Sequence, residues 1–306
     1  MTNTAIKVKQ MTVHRYPDLS PDENNELATE ERERFLLREV HYHPSGNILT
    51  DTEYDESGEA IEKFENGFDE KNRITEHRHY SGGELVERVT LEYDEAGRIV
   101  KELKHYEDGE PAQTIYVYDE KGQLTEKRVE SSPGETEQRE RFEYHPEGKD
   151  KPVLFEEFGY EDKLFRREKN RYELKEDKLI LLETEHENME SGKKYKVVHH
   201  DPKAHEDNVA NVVYDADDRI AEIVREWYDE KGNQVKMTHK TRSAANDSVV
   251  EFGYDDRGNM IMRRQETGTN YYKETRFLYN EHNLPAWQCI NFGGSSTADV
   301  YSYELY

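Results

Sequence analysis

The 306-residue chain has a single cysteine, Cys289, so it can form neither an intramolecular disulfide nor a cysteine-based zinc site. It has no run of eighteen apolar residues, which excludes a membrane-spanning helix. The N-terminus, MTNTAIKVKQMTVHRYPD, lacks the continuous apolar stretch of a secretory signal. A cytoplasmic protein is the expectation, with signal-independent export left open. Positive charge is scarce: 43 Lys and Arg face 68 Asp and Glu, a formal net charge of -25. Such a surface repels a phosphate backbone and an anionic bilayer, so neither nucleic acid nor membrane is an expected partner. Catalytic signatures are missing as well. There is no nucleophile elbow, phosphate-binding loop, HExxH or Cys/His arrangement, and among so many carboxylates no pair stands apart. A chain that is not an enzyme and carries no cofactor is expected.

Apolar residues are also thin, at 33% against 36% charged, with a mean hydropathy of -1.16. Those values suit a disordered chain, but 21 Tyr and 10 Phe do not. The aromatics recur periodically, which points to an ordered repeat with a narrow apolar seam. The clearest units begin Tyr93-Asp94 with Gly97, Tyr118-Asp119 with Gly122, and Tyr254-Asp255 with Gly258. Tyr228-Asp229 with Gly232 and Tyr54-Asp55 with Gly58 match closely, and weaker copies start at Tyr42, Phe68, Tyr144, Tyr214 and Tyr279.

Leading aromatics at 42, 68, 93, 118 and 144, and again at 228, 254 and 279, are 25 or 26 residues apart. Further turns lie between them, near Tyr80 and Tyr106, so each repeat reads as strand, turn, strand, turn. The turn chemistry agrees. Asp can accept hydrogen bonds from backbone N–H groups just ahead of it, and Gly at the fifth position tolerates positive φ. Where that Gly is absent, Asn72, Asp218 and Asn283 replace it, the residue types best suited to the same conformation. Between turns, Val89, Leu91 and Tyr93 alternate with Arg88, Thr90 and Glu92, predicting one apolar face and one charged face. The fold expected is all-β: an elongated or curled antiparallel sheet of stacked hairpins. Helical periodicity is weak, and its best stretch, 28–38, reads equally as the approach to the first repeat strand.

The domain reading is an N-terminal cap or linker at 1–37, hairpin repeats at 38–286, and a C-terminal cap at 287–306. The cap's Gly-Gly-Ser-Ser turn suits closure of the last edge. From 150 to 212 the turn chemistry changes, with Lys175-Glu176-Asp177-Lys178 one candidate turn; if the stretch breaks the hairpin array, it is the expected place for a functional insertion.

The Tyr-Asp-x-x-Gly units resemble the YD repeats of Rhs and teneurin-type proteins across roughly 40–286, without the Rhs core, its self-cleaving protease signature or a toxin domain. The resemblance implies long antiparallel sheets and an association with bacterial toxins or secretion systems. Shorter partner turns resemble MORN-like repeats of immunity proteins.

Three binding roles follow: a scaffold or chaperone-like adaptor, an immunity protein for one toxin, or a carbohydrate-binding module. The expected partner is a protein, of basic character if the acidic surface meets it; the oligomeric state is not legible. The aromatics at 42, 54, 68, 80, 93, 106 and 118 form either a binding platform or a packing ladder, and the ladder accounts for them more simply. Histidine pairs (His41 and His43; His77 and His79) and His199, His200 and His205 beside Asp201 and Asp207 suggest metal ligation only superficially. The acidic turn Asp215-Ala216-Asp217-Asp218 lacks the spacing of a calcium loop. No metal site is expected.

Overall fold

The structure is a computed structural model and describes residues 7–22, 26–30, 32–107, 109–132, 134–148, 150–269 and 271–306. Parts of the N-terminal cap, at 1–6, 23–25 and 31, lie outside the described residues. The strands are β1 Val8–Pro17, β2 Phe35–Tyr42, β3 Ile48–Tyr54, β4 Ala60–Phe68, β5 Ile74–Ser81, β6 Glu84–Tyr93, β7 Ile99–His105 and β8 Ala112–Tyr118. There follow β9 Leu124–Ser132, β10 Glu135–Tyr144, β11 Pro152–Phe158, β12 Leu164–Lys175, β13 Lys178–Asn188, β14 Lys194–His199 and β15 Val209–Asp215. The series ends with β16 Ile220–Tyr228, β17 Gln234–Thr241, β18 Ser248–Tyr254, β19 Met260–Thr267, β20 Tyr272–Tyr279, β21 Pro285–Phe292 and β22 Ser295–Leu305. The fold is all-β and antiparallel, as the alternation predicts. Among the described residues of 28–38 there is no helix, and Phe35–Arg38 lie in β2.

Two compact units are present, Met1–Arg88 with Tyr228–Lys236 and Ser248–Tyr306, and Val89–Trp227 with Met237–Asp247. In the second unit, β7 to β16 pair each with the next in sequence. Short connections leave antiparallel neighbours no other partner. The turn at 175–178 forms as expected, with Glu176 and Asp177 both at positive φ (49° and 61°), the geometry of a two-residue hairpin loop.

In the first unit, β18 to β22 and β1 to β5 form two such series, and β1 joins them by pairing with both β2 and β22. The expected elongated or curled array is therefore corrected at its ends: β1 pairs with both β2 and β22, so the first and last strands are joined. The β1–β22 register runs from Val8 opposite Leu305 to Pro17 opposite Thr297, with one irregularity near its start. Closure removes the unpaired N–H and C=O groups that two terminal edges would present.

Apolar burial is sparse, and one cluster dominates. Tyr16, Leu19, Trp287, Cys289 and Ala298 are buried together, with Leu27 and Val300 packed against them. The expected split into an apolar and a charged, solvated face is only approximate. Asp51, Glu130, Glu156, Glu274 and Asp299 are buried. Each meets arginine: Arg38 at Asp51, Arg128 at Glu130, Arg167 at Glu156, Arg264 and Arg276 at Glu274, and Arg15 at Asp299. In a sheet this poor in aliphatic residues, the arginine stems and their paired carboxylates occupy space that a larger core would fill with leucine.

Candidate functional site

The repeat turns come first, because their residues are the most conspicuous in the sequence. Asp55 Oδ1 accepts the backbone N–H groups of Ser57 (2.8 Å) and Glu59 (3.0 Å). Asp119 does the same with Lys121 (2.9 Å) and Gln123 (2.8 Å), and Asp255 with Arg257 (2.9 Å) and Asn259 (2.8 Å). Asp94 and Asp229 accept from Arg98 (2.9 Å) and Asn233 (2.8 Å). The N–H groups of Gly58, Gly97, Gly122, Gly232 and Gly258 close each turn onto the carbonyl of its Asp, and all five glycines sit at φ between 81° and 89°. Asn72, Asp218 and Asn283 adopt the same conformation where Gly is absent, at 59°, 56° and 63°. These bonds favour the ionised carboxylates. Asp55 is held below the usual carboxylate range chiefly by the Ser57 hydroxyl, Asp94 by the Arg98 N–H, and Asp229 and Asp255 by the amides of Asn233 and Asn259.

The leading tyrosines end strands and reach back one repeat. Tyr118 Oη donates to the Ile99 carbonyl (2.8 Å) and Tyr144 to Leu124 (2.8 Å), while Tyr254 donates to Gln234 (2.9 Å) and Tyr279 to Met260 (3.1 Å). Each acceptor is the first residue of the strand after the preceding repeat turn. Tyr303 makes the equivalent bond to Pro285 (2.9 Å) from β22, where no turn motif marks it. Tyr54, Tyr93 and Tyr228 end β3, β6 and β16. Burial raises the phenol pKa of Tyr54, Tyr118, Tyr254 and Tyr279. Where these bonds form, the hydroxyl is engaged by backbone, and at Tyr118 the Arg98 guanidinium lies 4.5 Å over the ring.

The histidines do not converge. His41 meets Glu39, His77 meets Asn66 and His79 meets Glu62, while His199 lies between Thr184 and Asn211. His200 and His205 form an edge-to-face pair at 5.1 Å. Burial, then the neighbouring His205 and His199, lowers the His200 pKa. Among the described residues, no three His, Cys, Asp or Glu side chains are placed to hold a metal ion.

A broad concavity belongs to the second unit. A groove of about 860 Å³ runs between the β13–β14 turn, the β15–β16 turn and Arg242 at the end of β17. Val213, Ala216, Ala221 and the ring of Tyr195 supply its apolar lining; Lys193, Lys194, Asp217 and Glu222 add charge. Tyr195 stacks on His186 with ring centroids 4.4 Å apart and planes at 16°, and His186 Nδ1 lies 3.2 Å from Glu168. The rim is built around Asp215. Its Oδ1 accepts the N–H groups of Asp217 (2.9 Å) and Arg219 (3.0 Å), and its Oδ2 accepts Arg242 Nη2 (2.6 Å). Arg242 also donates to the carbonyls of Ile220 (3.0 Å) and Arg219 (3.1 Å), fastening two successive hairpins. The Arg219 N–H and then the Arg242 guanidinium hold the Asp215 carboxyl far below the carboxylate range.

The sequence matches no known protein-family profile and no curated protein. Among solved structures, a chain of the TcdB2-TccC3-Cdc42 crystal structure aligns with 94% of this chain at 13% identity and a TM-score of 0.45. A chain of TcdB2-TccC3 aligns with 92% at 9% identity and a TM-score of 0.43. This chain spans only 14% and 15% of those two chains. A porin-like protein from Bacteroides uniformis aligns with 97% at 7% identity and a TM-score of 0.32. Among the described residues, no helix is long and apolar enough to cross a membrane.

Sequence reading passed over the groove, although a signal existed. In the turn beginning Tyr214-Asp215 the third residue is Ala216, whereas the well-matched turns carry Glu56, Glu95, Glu120, Glu230 or Asp256 at that position. Ala216, Ala221 and Gly192 leave open the space that longer side chains would fill.

Proposed function

We propose that this chain is a non-enzymatic protein-binding module, a scaffold or adaptor, whose partner segment lies in the groove lined by Tyr195, Val213, Ala216 and Ala221. One observation carries the reading. The groove combines an apolar floor, a half-exposed aromatic ring and a rim fixed by Asp215 and Arg242, in a chain whose repeat turns are occupied by their own backbone bonds. A rigid rim with an aromatic anchor is what protein recognition uses. The Tyr195 end of the groove belongs to the stretch where the repeat chemistry changes. The chain's formal net charge of -25 favours approach of a basic partner. Association with a bacterial toxin or secretion assembly rests on the resemblance of the repeat turns to YD repeats.

The test is affinity capture with wild type and with Ala216→Trp, which fills the groove from an exposed turn position. The partner should be retained by wild type and by Tyr106→Ala, whose exposed side chain lies outside the groove, and lost by Ala216→Trp with an unchanged circular dichroism spectrum. Equal retention by all three proteins overturns the groove as the binding site.

A further inference from the structure

Two of the repeat turns carry histidine where the others carry the capping aspartate, and the imidazole takes over the aspartate's bond. In Tyr42-His43-Pro44-Ser45-Gly46, His43 Nδ1 accepts the Ser45 N–H (3.2 Å) and lies 2.9 Å from the Ser45 hydroxyl. In Tyr144-His145-Pro146-Glu147-Gly148, His145 Nδ1 accepts the Glu147 N–H (3.3 Å). Asp55, Asp119 and Asp255 take the same bond at Oδ1 from the residue two ahead. The backbone closes alike, with the Gly46 N–H on the His43 carbonyl (2.7 Å) and the Gly148 N–H on the His145 carbonyl (3.0 Å). A backbone N–H can donate only to an unprotonated nitrogen, so each ring is neutral with its proton on Nε2. The imidazolium has a donor at both nitrogens and cannot cap the turn.

His43 stacks on Phe68 of β4 with ring centroids 4.6 Å apart. The charged and titratable groups at its turn are Lys7, whose Nζ donates to the Pro44 carbonyl (2.9 Å), and Tyr306, whose hydroxyl donates to the Tyr42 carbonyl (2.6 Å). His145 meets the edge of Tyr172 from β12 at 6.2 Å, and its N–H donates to the Lys151 carbonyl (2.9 Å). Glu147 shares its turn, and the Asp150 and Asp119 carboxylates act on the adjacent Tyr144. Among the described residues, neither ring is ion-paired to a carboxylate. His41, His79, His186 and His239 are, to Glu39, Glu62, Glu168 and Glu222, and protonation strengthens those contacts.

We propose that His43 and His145 make these two turns acid-sensitive joints, closed at neutral pH and loosened when the imidazoles protonate, in a repeat whose aspartate turns stay capped. Histidine changes charge between pH 5 and 8. Asp55, Asp94 and Asp255, held below the usual carboxylate range by their own turn bonds, remain ionised throughout that interval. Pro44 and Pro146 keep φ near the turn value in either state. A joint therefore slackens while the ladders on either side of it, β2 with β3 and β10 with β11, stay paired. A cap that does not titrate already exists in the chain. Asn280, at the same repeat position, accepts the N–H groups of His282 (2.9 Å) and Leu284 (3.0 Å) through its amide oxygen.

Amide hydrogen exchange at single-residue resolution tests the joints, each rate being divided by the intrinsic rate at the same pH. Between about pH 7.5 and about pH 5.5, protection of Gly46 and Gly148 should fall at least about fivefold in wild type. Gly97 and Gly122, in aspartate turns, should hold theirs. His43→Asn and His145→Asn should keep their own turn protected at both pH values, and the matching Asp variants should do the same, which separates the cap from the added charge. Constant protection of Gly46 and Gly148 in wild type overturns the proposal, as does an equal fall in the Asn variants. A fall at Gly97 and Gly122 as large as at Gly46 and Gly148 overturns it too, because the loosening would then be general.

Discussion

Replacing Glu274 by Gln tests whether the buried carboxylates hold the sheet together. Glu274 is 4% exposed on β20. Its Oε2 accepts Arg264 Nε (3.0 Å), Arg264 Nη2 (2.8 Å) and the Tyr272 hydroxyl (2.9 Å), and its Oε1 accepts Arg276 Nε (2.8 Å). Gln keeps the shape and one acceptor but removes the charge. A hydrogen bond to a charged group contributes roughly 1.5–3 kcal/mol, and breaking a fully buried ion pair costs roughly 3–5 kcal/mol. Both arginines are about two-fifths exposed and keep part of their hydration, so the expected loss is about 2 kcal/mol. The sign with pH follows. Burial raises the Glu274 pKa, but the bonds from Arg264, Arg276 and Tyr272 outweigh it and leave the folded value below the unfolded one. The contribution is therefore fully present above the unfolded carboxylate value, near pH 4–5, and disappears as pH falls through the folded value. Amide exchange of β19 and β20, compared between wild type and Glu274→Gln at pH 7 and near pH 3, isolates this region from the other unit. A difference below about 0.5 kcal/mol at pH 7, or one that persists undiminished at low pH, refutes the reasoning.

Tyr254→Phe removes the bond to the Gln234 carbonyl and should destabilise the first unit by about 1 kcal/mol in denaturant titration, with no loss of secondary structure. Gly258→Ala meets no atom within 4 Å, so only its φ of 85° opposes it, and a thermal melt should register roughly 1–2 kcal/mol. Gly159→Ala places a Cβ 1.9 Å from the Phe165 ring and should be the more damaging of the two. Deleting residues 1–17 removes β1, bares the edges of β2 and β22, and should produce concentration-dependent association in light scattering, whereas monodisperse monomer would contradict the role given to closure.

What the sequence reveals divides by distance along the chain. The turns at Asp55, Asp94, Asp119, Asp229 and Asp255 are legible because their partners lie within four residues, and side-chain chemistry there dictates backbone geometry. Strand direction follows from the short connections. The pairing of Val13 with Tyr301 is not legible, since nothing in VKQMTVHRYP names a partner almost the whole chain away. Tyr303 is hidden for a similar reason, as it makes the ladder bond without the turn that marks the other tyrosines. The groove depends on three separate segments meeting, at 192–195, 213–222 and 242, and only the small residue at Ala216 hints at it. The buried glutamates are the least legible. A charged residue between apolar neighbours reads as solvent-facing until its arginine is located.

The pairing of β1 with β22 also has a temporal side. Arg15 and Asp299, 284 residues apart, form a bidentate ion pair with bonds of 2.7 and 2.9 Å. At a synthesis rate of roughly 5–20 residues per second, β1 leaves the ribosome about 15–60 s before its second neighbour exists. Throughout that interval β1 has one unpaired edge, able to recruit any extended segment nearby. The β1–β22 pairing is thus preceded by a long exposure of β1 during synthesis, and a chaperone acting on this chain would have a target there.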